Sequence, residues 1–565
     1  VKTAFTLIIA IFSLYVAPAA HAARGADGHL RIIYWQAPST MNPYLSGGTK
    51  EIEAASLVLE PLARYDQNGN MKPWLAERVP TLENGGVSKD LRTITWKLKG
   101  GLKWADGTPV TSKDVVFTWK YCTHPQGGCS QSEKYNDVKN VEALDALTVR
   151  VTFGIAKPFP YGPFVGAQAP IIQAAQFADC LGARAPRCTD ANFKPVGTGP
   201  FSVAEFRPND VISFVANSNY RDPARPAFAR VTFKGGGDAT AAARSVLETG
   251  EFDYAWNLQL APDVLANMKK AGKGVVISSF GTLVERIVVN LTNPASRLGK
   301  ERSTAKHPHP FLSDPSVRKA LSMAIDRKLL VEIGYGPAGR PTCNILPAPA
   351  IYKSTANDGC LMQDIPGANK LLDAAGWKRG SGGVRMKNGV KLSILYQTST
   401  NAVRQDFQAL IKQWWSKIGV ETELRNISAS VFFGGDPASG DTFQKFQADV
   451  QMYANNFDGT DPESYMANWA CKEAPRPATQ WQGNNVPRYC DKAYDALIAK
   501  MARAGALKER ARLARAMNDM LMQAYVLIPL VDRGRVSAHA KTLGGVVLNT
   551  WDSELWNIAD WRRVK

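Results

Sequence analysis

The sequence predicts an α/β protein built as two large lobes or three domains. Its 565 residues are far more than one hydrophobic core needs. Helical and extended patterns alternate through residues 368–424, the order of a three-layer α/β lobe. The sharpest local signal is a strand-turn-helix unit at Leu91–Tyr121. There Ile94, Trp96 and Leu98 alternate with Thr95, Lys97 and Lys99, as in a half-buried strand. Asp106-Gly107 reads as a turn. Thr111 and Asp114 then stand at capping-box spacing before Val115, Val116 and Trp119, the apolar side of a helix.

The other elements follow in order. Leu30–Trp35 reads as a first strand, Pro38–Pro43 as a loop and Lys50–Leu59 as a helix. Val149, Val151 and Phe153 alternate with polar or small neighbours, and residues 157–187 have loop composition. Gly197-Thr198-Gly199-Pro200-Phe201 reads as a structural turn into a hairpin. Asp238 is placed to cap an Ala-rich helix ending near Leu247; the Gly235–Gly237 run before it lacks the ending of a phosphate-binding loop. Two short strands within 275–291 are expected to carry the chain between lobes. Asp314-Pro315 starts a helix whose stripe is Val317, Leu321, Ile325 and Leu329. A helix over Ala368–Ala375, a strand over Val390–Tyr396, a helix over Val403–Ile418 and a strand over Val420–Leu424 come next. Residues 491–524 read as mostly helical, and Tyr525–Val531 as a strand.

Residues 1–23 read as a secretory signal: Lys2, a mostly apolar run over Ala4–Val16, and the small-residue pattern Ala20-His21-Ala22. The apolar run is too short for a comfortable membrane span, and no cysteine follows it to carry a lipid anchor. Eight cysteines remain, in four sequence-local pairs. Export permits disulfides, and neighbour pairing is expected: Cys122–Cys129, Cys180–Cys188, Cys343–Cys360 and Cys471–Cys490. No CxxC spacing argues for a metal. These features point to the periplasm of a Gram-negative cell and a chain soluble after signal cleavage.

A net charge of +18 favours acidic partners. The positive residues are scattered, however. The densest segment, 500–515, interleaves Lys500, Arg503, Lys508, Arg510, Arg512 and Arg515 with apolar positions, as a solvated helix face does. Export also argues against nucleic acid. There is no nucleophile elbow, zinc-protease helix or dinucleotide fingerprint. Of the six histidines, His307-Pro308-His309 reads as a surface loop. No catalytic residue, cofactor or metal is expected.

Leu102, Trp104, Asp106, Gly107, Ser112, Asp114, Val115 and Phe117 resemble the signature of the extracellular solute-binding proteins of family 5, the dipeptide- and oligopeptide-binding components of ABC importers. Similar matches are Gly197–Phe201, the Asn217-to-Tyr220 segment, Gly250-Glu251-Phe252-Asp253, and Val317–Arg327, spread over nearly the whole chain. The resemblance implies a two-lobed periplasmic binding protein of the large peptide-binding type, with an additional small domain and a hinge. It implies lobe I from 28–76, 190–285 and 532–565, an inserted domain at 77–189 and lobe II at 286–531. It further implies a monomer that captures a peptide or peptide-like solute and docks on an inner-membrane ABC permease with ATPase subunits. Some relatives of this kind take opines, sugar-phosphate conjugates or nickel complexes instead, and the positive charge makes an acidic ligand worth testing.

The resemblance places ligand contacts too. In family peptide binders an aspartate four residues before a Pro binds the peptide α-ammonium; here that is Asp458, before Pro462, with Asp461 as the local alternative. A carboxylate in a closed cleft suits an ammonium chemically. Trp256 is expected to pack on a ligand side chain, and Arg286 to clamp an anion.

Overall fold

The computed structural model describes residues 23–127, 129–434 and 436–564. The signal reading of residues 1–23 therefore lies almost wholly outside the described residues. No helix among the described residues is long and apolar enough to cross a membrane.

Two large sheets organise the chain. The first has seven strands, in the spatial order Gly274–Ser279, Arg535–Ala540, Tyr254–Ala255, His29–Tyr34, Arg230–Gly235, Val211–Ala216 and Phe201–Arg207. His29–Tyr34 runs parallel to both of its neighbours. The last three strands form an antiparallel meander. The second sheet has six strands, in the order Gly339–Pro341, Leu527–Arg533, Val284–Val289, Val450–Asn455, Ser393–Ser399 and Glu421–Ile427. Its central strand, Val284–Val289, is buried along its whole length.

The chain passes between these sheets twice. Residues 280–283 link Gly274–Ser279 to Val284–Val289, and Gly534 links Leu527–Arg533 to Arg535–Ala540. The two passages run side by side. Ser279 pairs with Arg535 on one side and Val284 with Asp532 on the other. Between them the Arg533 N–H donates to the Leu283 carbonyl at 3.1 Å.

The Leu91–Tyr121 unit folds as its pattern requires. Strand Thr93–Lys97 buries Ile94 and Trp96 and leaves Lys97 exposed. It pairs antiparallel with Thr148–Phe153, where Val149, Val151 and Phe153 are the buried positions. The helix Ser112–Cys122 starts with the Thr111 N–H donating to Asp114 Oδ2 at 2.9 Å. This small sheet has no separate core. Ile94, Trp96 and Val151 join the buried cluster that contains Leu30, Ile32 and Phe214.

Several local readings hold and some need correction. Asp238 caps the helix Ala239–Leu247 by accepting from the Ala241 N–H at 2.7 Å. The structure pairs all eight cysteines by neighbours, with Cα separations of 5.0, 5.8, 5.9 and 4.5 Å in chain order. The helix expected over Lys50–Leu59 is shorter, spanning Thr49–Ala55. The stripe from Val317 to Leu329 is split between helices Pro315–Met323 and Arg327–Gly334. The break occurs because Asp326 turns its carboxylate onto the Lys328 and Leu329 N–H groups, capping a new helix. The expected strand Val390–Tyr396 is likewise interrupted at Leu392.

Gly197 and Gly199 pack directly against the carbonyls of Leu57 and Val58, so neither has room for a Cβ. Gly197→Ala should cost about 1–3 kcal/mol through overpacking, read as a lower urea midpoint. An unchanged midpoint contradicts this packing account.

Candidate functional site: the cleft between the sheets

The strand Val450–Asn455 ends at the rim of a cleft with about 1750 Å³ of empty space, counting its open mouth. One side is lined by Gln36, Lys50, Tyr65 and Trp256, and the other by Tyr453, Phe457, Asp458 and Tyr465. Residues between Gln131 and Gln168 close a third side. Polar bridges already span the opening. Lys157 pairs with Glu463 at 2.9 Å, and the Asn484 amide donates to the Ser130 carbonyl at 3.0 Å.

The turn carrying Asp458 is fixed by close packing. Gly459 has φ +77°, and a Cβ there would sit 2.5 Å from the Tyr65 ring. Opposite Asp458, Gly166 has φ +81°, and a Cβ there would lie 3.0 Å from Asp458 Oδ2. Only glycine suits both the left-handed backbone and the approach. Across the cleft, the Gln168 N–H donates to Asp458 Oδ2 at 3.1 Å. Just before the turn, Thr282 grips Phe457 with both functions of its hydroxyl: it donates to the carbonyl at 3.0 Å and accepts from the N–H at 3.2 Å. Thr282 belongs to one of the two inter-sheet passages, so the site is tied directly to them.

Asp458 and Asp461 are separated by their partners. Arg510 clamps Asp461 bidentately, from Nε at 2.7 Å and Nη2 at 2.6 Å, and also reaches Glu463 at 2.8 Å. Asp461 is thus neutralised within the protein. Asp458 has no ion pair within 4.0 Å among the described residues. Burial raises its carboxyl to about 6, with repulsion from Asp552 adding to the effect; Lys134, Arg535 and the Gln168 N–H act in the opposite sense.

Behind Asp458 lies a buried acidic group that the sequence reading missed. Arg535 reaches Glu53 at 3.1 Å and Glu554 at 3.9 Å. Ser537 and Tyr254 donate to Glu554 at 2.7 and 2.8 Å. Arg64 meets Asp552 at 3.2 Å. Burial raises the Glu53 carboxyl to about 8, Arg535 opposes this, and Glu554 and Asp458 add to it. Glu53 comes beside Asp552 and Glu554, some 500 residues on, only through tertiary contacts, and no local motif announces the group.

Trp256 is buried at the cleft wall, stacked on Tyr34 with centroids 4.5 Å apart and planes 7° apart. Arg286 lies elsewhere. Its guanidinium sits behind the wall, 5.6 Å from the ring centroids of both Tyr453 and Trp469, and donates to the Tyr465 hydroxyl at 2.7 Å. It is not among the residues that line the cleft.

The sequence model described as bacterial extracellular solute-binding proteins, family 5 Middle, matches residues 70–475. The glutathione-binding protein GsiB of Escherichia coli (strain K12) is 24% identical over 511 residues, covering 90% of this chain and 89% of that protein. The oligopeptide-binding protein AppA from Bacillus subtilis, solved with a nonapeptide, superposes with a TM-score of 0.82 at 20% identity, over 96% of this chain and 100% of that one. NikZ from Campylobacter jejuni, solved with Ni(L-His), gives 0.77 at 22% identity, over 95% and 100%.

The Asp458 environment sets a pH dependence for the empty protein. Its carboxyl, at about 6, lies above the unfolded value of ~3.9. The resulting stability is fully present below the unfolded value and is lost as pH rises through 6. Asp458→Asn keeps an acceptor for Gln168 but cannot ionise. Its melting temperature should therefore exceed that of the wild type by a margin that grows between about pH 4 and 6 and levels off above. A margin independent of pH contradicts the assignment.

Proposed function

The chain belongs to the bacterial extracellular solute-binding proteins of family 5, and from that premise we propose that it captures a peptide or peptide-like solute by its free N-terminal amine at Asp458. The observation carrying this reading is the contrast between the two aspartates: Arg510 occupies Asp461, while Asp458 faces the cleft without a counter-ion. A buried carboxylate without a partner is costly, so an ammonium that enters the closed cleft is favoured strongly. Trp256 and the aromatic wall of Tyr453, Phe457 and Tyr465 supply apolar contact for side chains.

In this reading the open protein admits solute and the lobes close about the paired passages at 280–283 and Gly534. Ligand shifts the population toward the closed form because it contacts both sides. The domain division follows the two sheets, with 77–189 as an insertion that shares the first core. The closed monomer then docks on an inner-membrane ABC permease, whose ATPase subunits supply the energy. The site of action is the periplasm of a Gram-negative cell. The protein releases its solute unchanged and is no enzyme. An acidic opine is the second reading, favoured by the cationic Lys134 in the same cleft.

Titration calorimetry with short peptides tests the amine assignment. Asp458→Asn should weaken binding by roughly 10- to 100-fold, the worth of a hydrogen bond to a charged group. Acetylating the peptide amine should cost the wild type a similar factor and the variant little. Affinity should also fall as pH drops below 6, because a protonated Asp458 offers no charge. Equal binding of free and acetylated peptides contradicts the reading.

A further inference from the structure

Three of the four disulfides converge on one place. The Cys471–Cys490 bridge closes a loop whose Val486 and Tyr489 join the buried cluster of Val288 and Leu527, from the second sheet. The Cys122–Cys129 and Cys180–Cys188 bridges pack into the core of the first sheet. The loops of these two also touch each other. Gly182 has φ +57°, and a Cβ there would lie 2.4 Å from the His124 ring.

Across the cleft the Cys471–Cys490 loop bonds to the segment 126–136. The Ser130 hydroxyl donates to Gln482 Oε1, with both side chains buried. The Asn484 amide donates to the Ser130 carbonyl at 3.0 Å, and Gln480 to the Gln126 carbonyl at 3.3 Å. Lys472 donates to Asn136 Oδ1. The backbones meet as well: Gly127 has φ +68°, and a Cβ there would stand 3.1 Å from Thr479 Cα. Ser130 is anchored on its own side, where its N–H donates to the Tyr44 carbonyl at 2.7 Å. Polar contacts of this kind form and break without exposing a core. The Lys157–Glu463 bridge holds the two sides less firmly. When they part, Lys157 keeps Asp137 at 3.0 Å and Glu463 keeps Arg510 at 2.8 Å.

The loop depends on its own disulfide. Gln480, Trp481 and Arg488 have φ of +52°, +62° and +58°, left-handed conformations that side chains resist. Gly483 has no room for a Cβ, which would lie 2.4 Å from the Glu473 carbonyl oxygen. The two ends, 19 residues apart in the chain, are held at a Cα separation of 4.5 Å. Without the bridge the chain regains the conformational freedom that this shape denies it.

We propose that the Cys471–Cys490 loop is a clasp that keeps the cleft shut over bound solute, and that it acts only with its disulfide formed. The oxidation state of one cysteine pair then sets how long the solute stays. Forming the bridge joins Cys471 Sγ to Cys490 Sγ. The two thiols give up two protons and two electrons to a disulfide of another molecule, whose S–S bond breaks to give two thiols. The inference rests on the proposed closure of the lobes and not on the identity of the solute.

Single-molecule energy transfer on the full chain tests it. Dyes sit on non-natural residues at the exposed positions Lys113 and Lys412, and the dwell time in the closed state is read without solute and with tri-L-alanine. Cys471→Ser/Cys490→Ser should shorten the dwell about tenfold or more and leave the rate of closing within about twofold. Where that variant does not fold, dithiothreitol on the folded wild type gives the same reading, and reoxidation restores the dwell. Ser130→Ala/Gln482→Ala, with every disulfide intact, should shorten the dwell about threefold. Cys343→Ser/Cys360→Ser removes a bridge whose loop bonds to Asn518 and Asp519 on its own side, and should change nothing. An unchanged dwell on loss of Cys471–Cys490 or of the Ser130–Gln482 contact overturns the proposal. So does equal shortening on loss of Cys343–Cys360. If the clasp variants do nothing while Asp458→Asn still weakens peptide binding, this inference fails and amine capture stands. If the wild type shows one distance under both conditions, lobe closure falls and the clasp with it.

Discussion

The cleft is governed by the cost of an unmatched buried charge. Nearly every ionised group that faces it is answered from within the chain: Asp461 by Arg510, Lys157 by Glu463, Arg404 by Glu285, Arg535 by Glu53. Such matching lowers the cost of a polar cavity without a ligand, since the attraction within each pair offsets part of the cost of taking its two ions out of water. Against that background Asp458 is conspicuous. Its carboxylate has one backbone donor, from Gln168, and acidic neighbours behind it. In the proposed capture, an incoming ammonium supplies what the fold withholds.

The same turn is coupled to the passages between the sheets. Thr282 lies in the passage at 280–283 and holds Phe457, the residue before Asp458. The neighbouring passage at Gly534 leads straight into Arg535, which anchors the acidic group behind the site. In the proposed closure, bending at these two points would move one sheet against the other while leaving each sheet's pairing intact. Contacts from both sides then meet at Asp458, with the turn supplied by one lobe and the Gln168 N–H by the other.

Much of the fold was legible because it depends on local chemistry. Asp314 caps a helix and Pro315 opens it by local chemistry, and the alternation around Trp96 buries one face of its strand. Neighbouring cysteines close short loops at little cost in chain order. The break at Asp326 was hidden because the apolar stripe continues across it; Ile325 is buried on both readings. The site was legible only in part. The spacing of Asp458 before Pro462 is visible in the chain, but the capture of Asp461 by Arg510, 49 residues away, is not. Nor does sequence reveal that Arg286 faces Tyr453 and Trp469 instead of the cavity, or that Lys134 is buried without a partner. Those are facts of tertiary packing, set by residues distant in the chain.

A crystal structure of the protein with the solute it retains on purification addresses the central claim most directly. The account requires a ligand nitrogen within about 2.7–2.9 Å of the Asp458 carboxylate, the range of a charge-assisted hydrogen bond. A ligand whose amine points to solvent, with Asp458 still held by Gln168 alone, contradicts it.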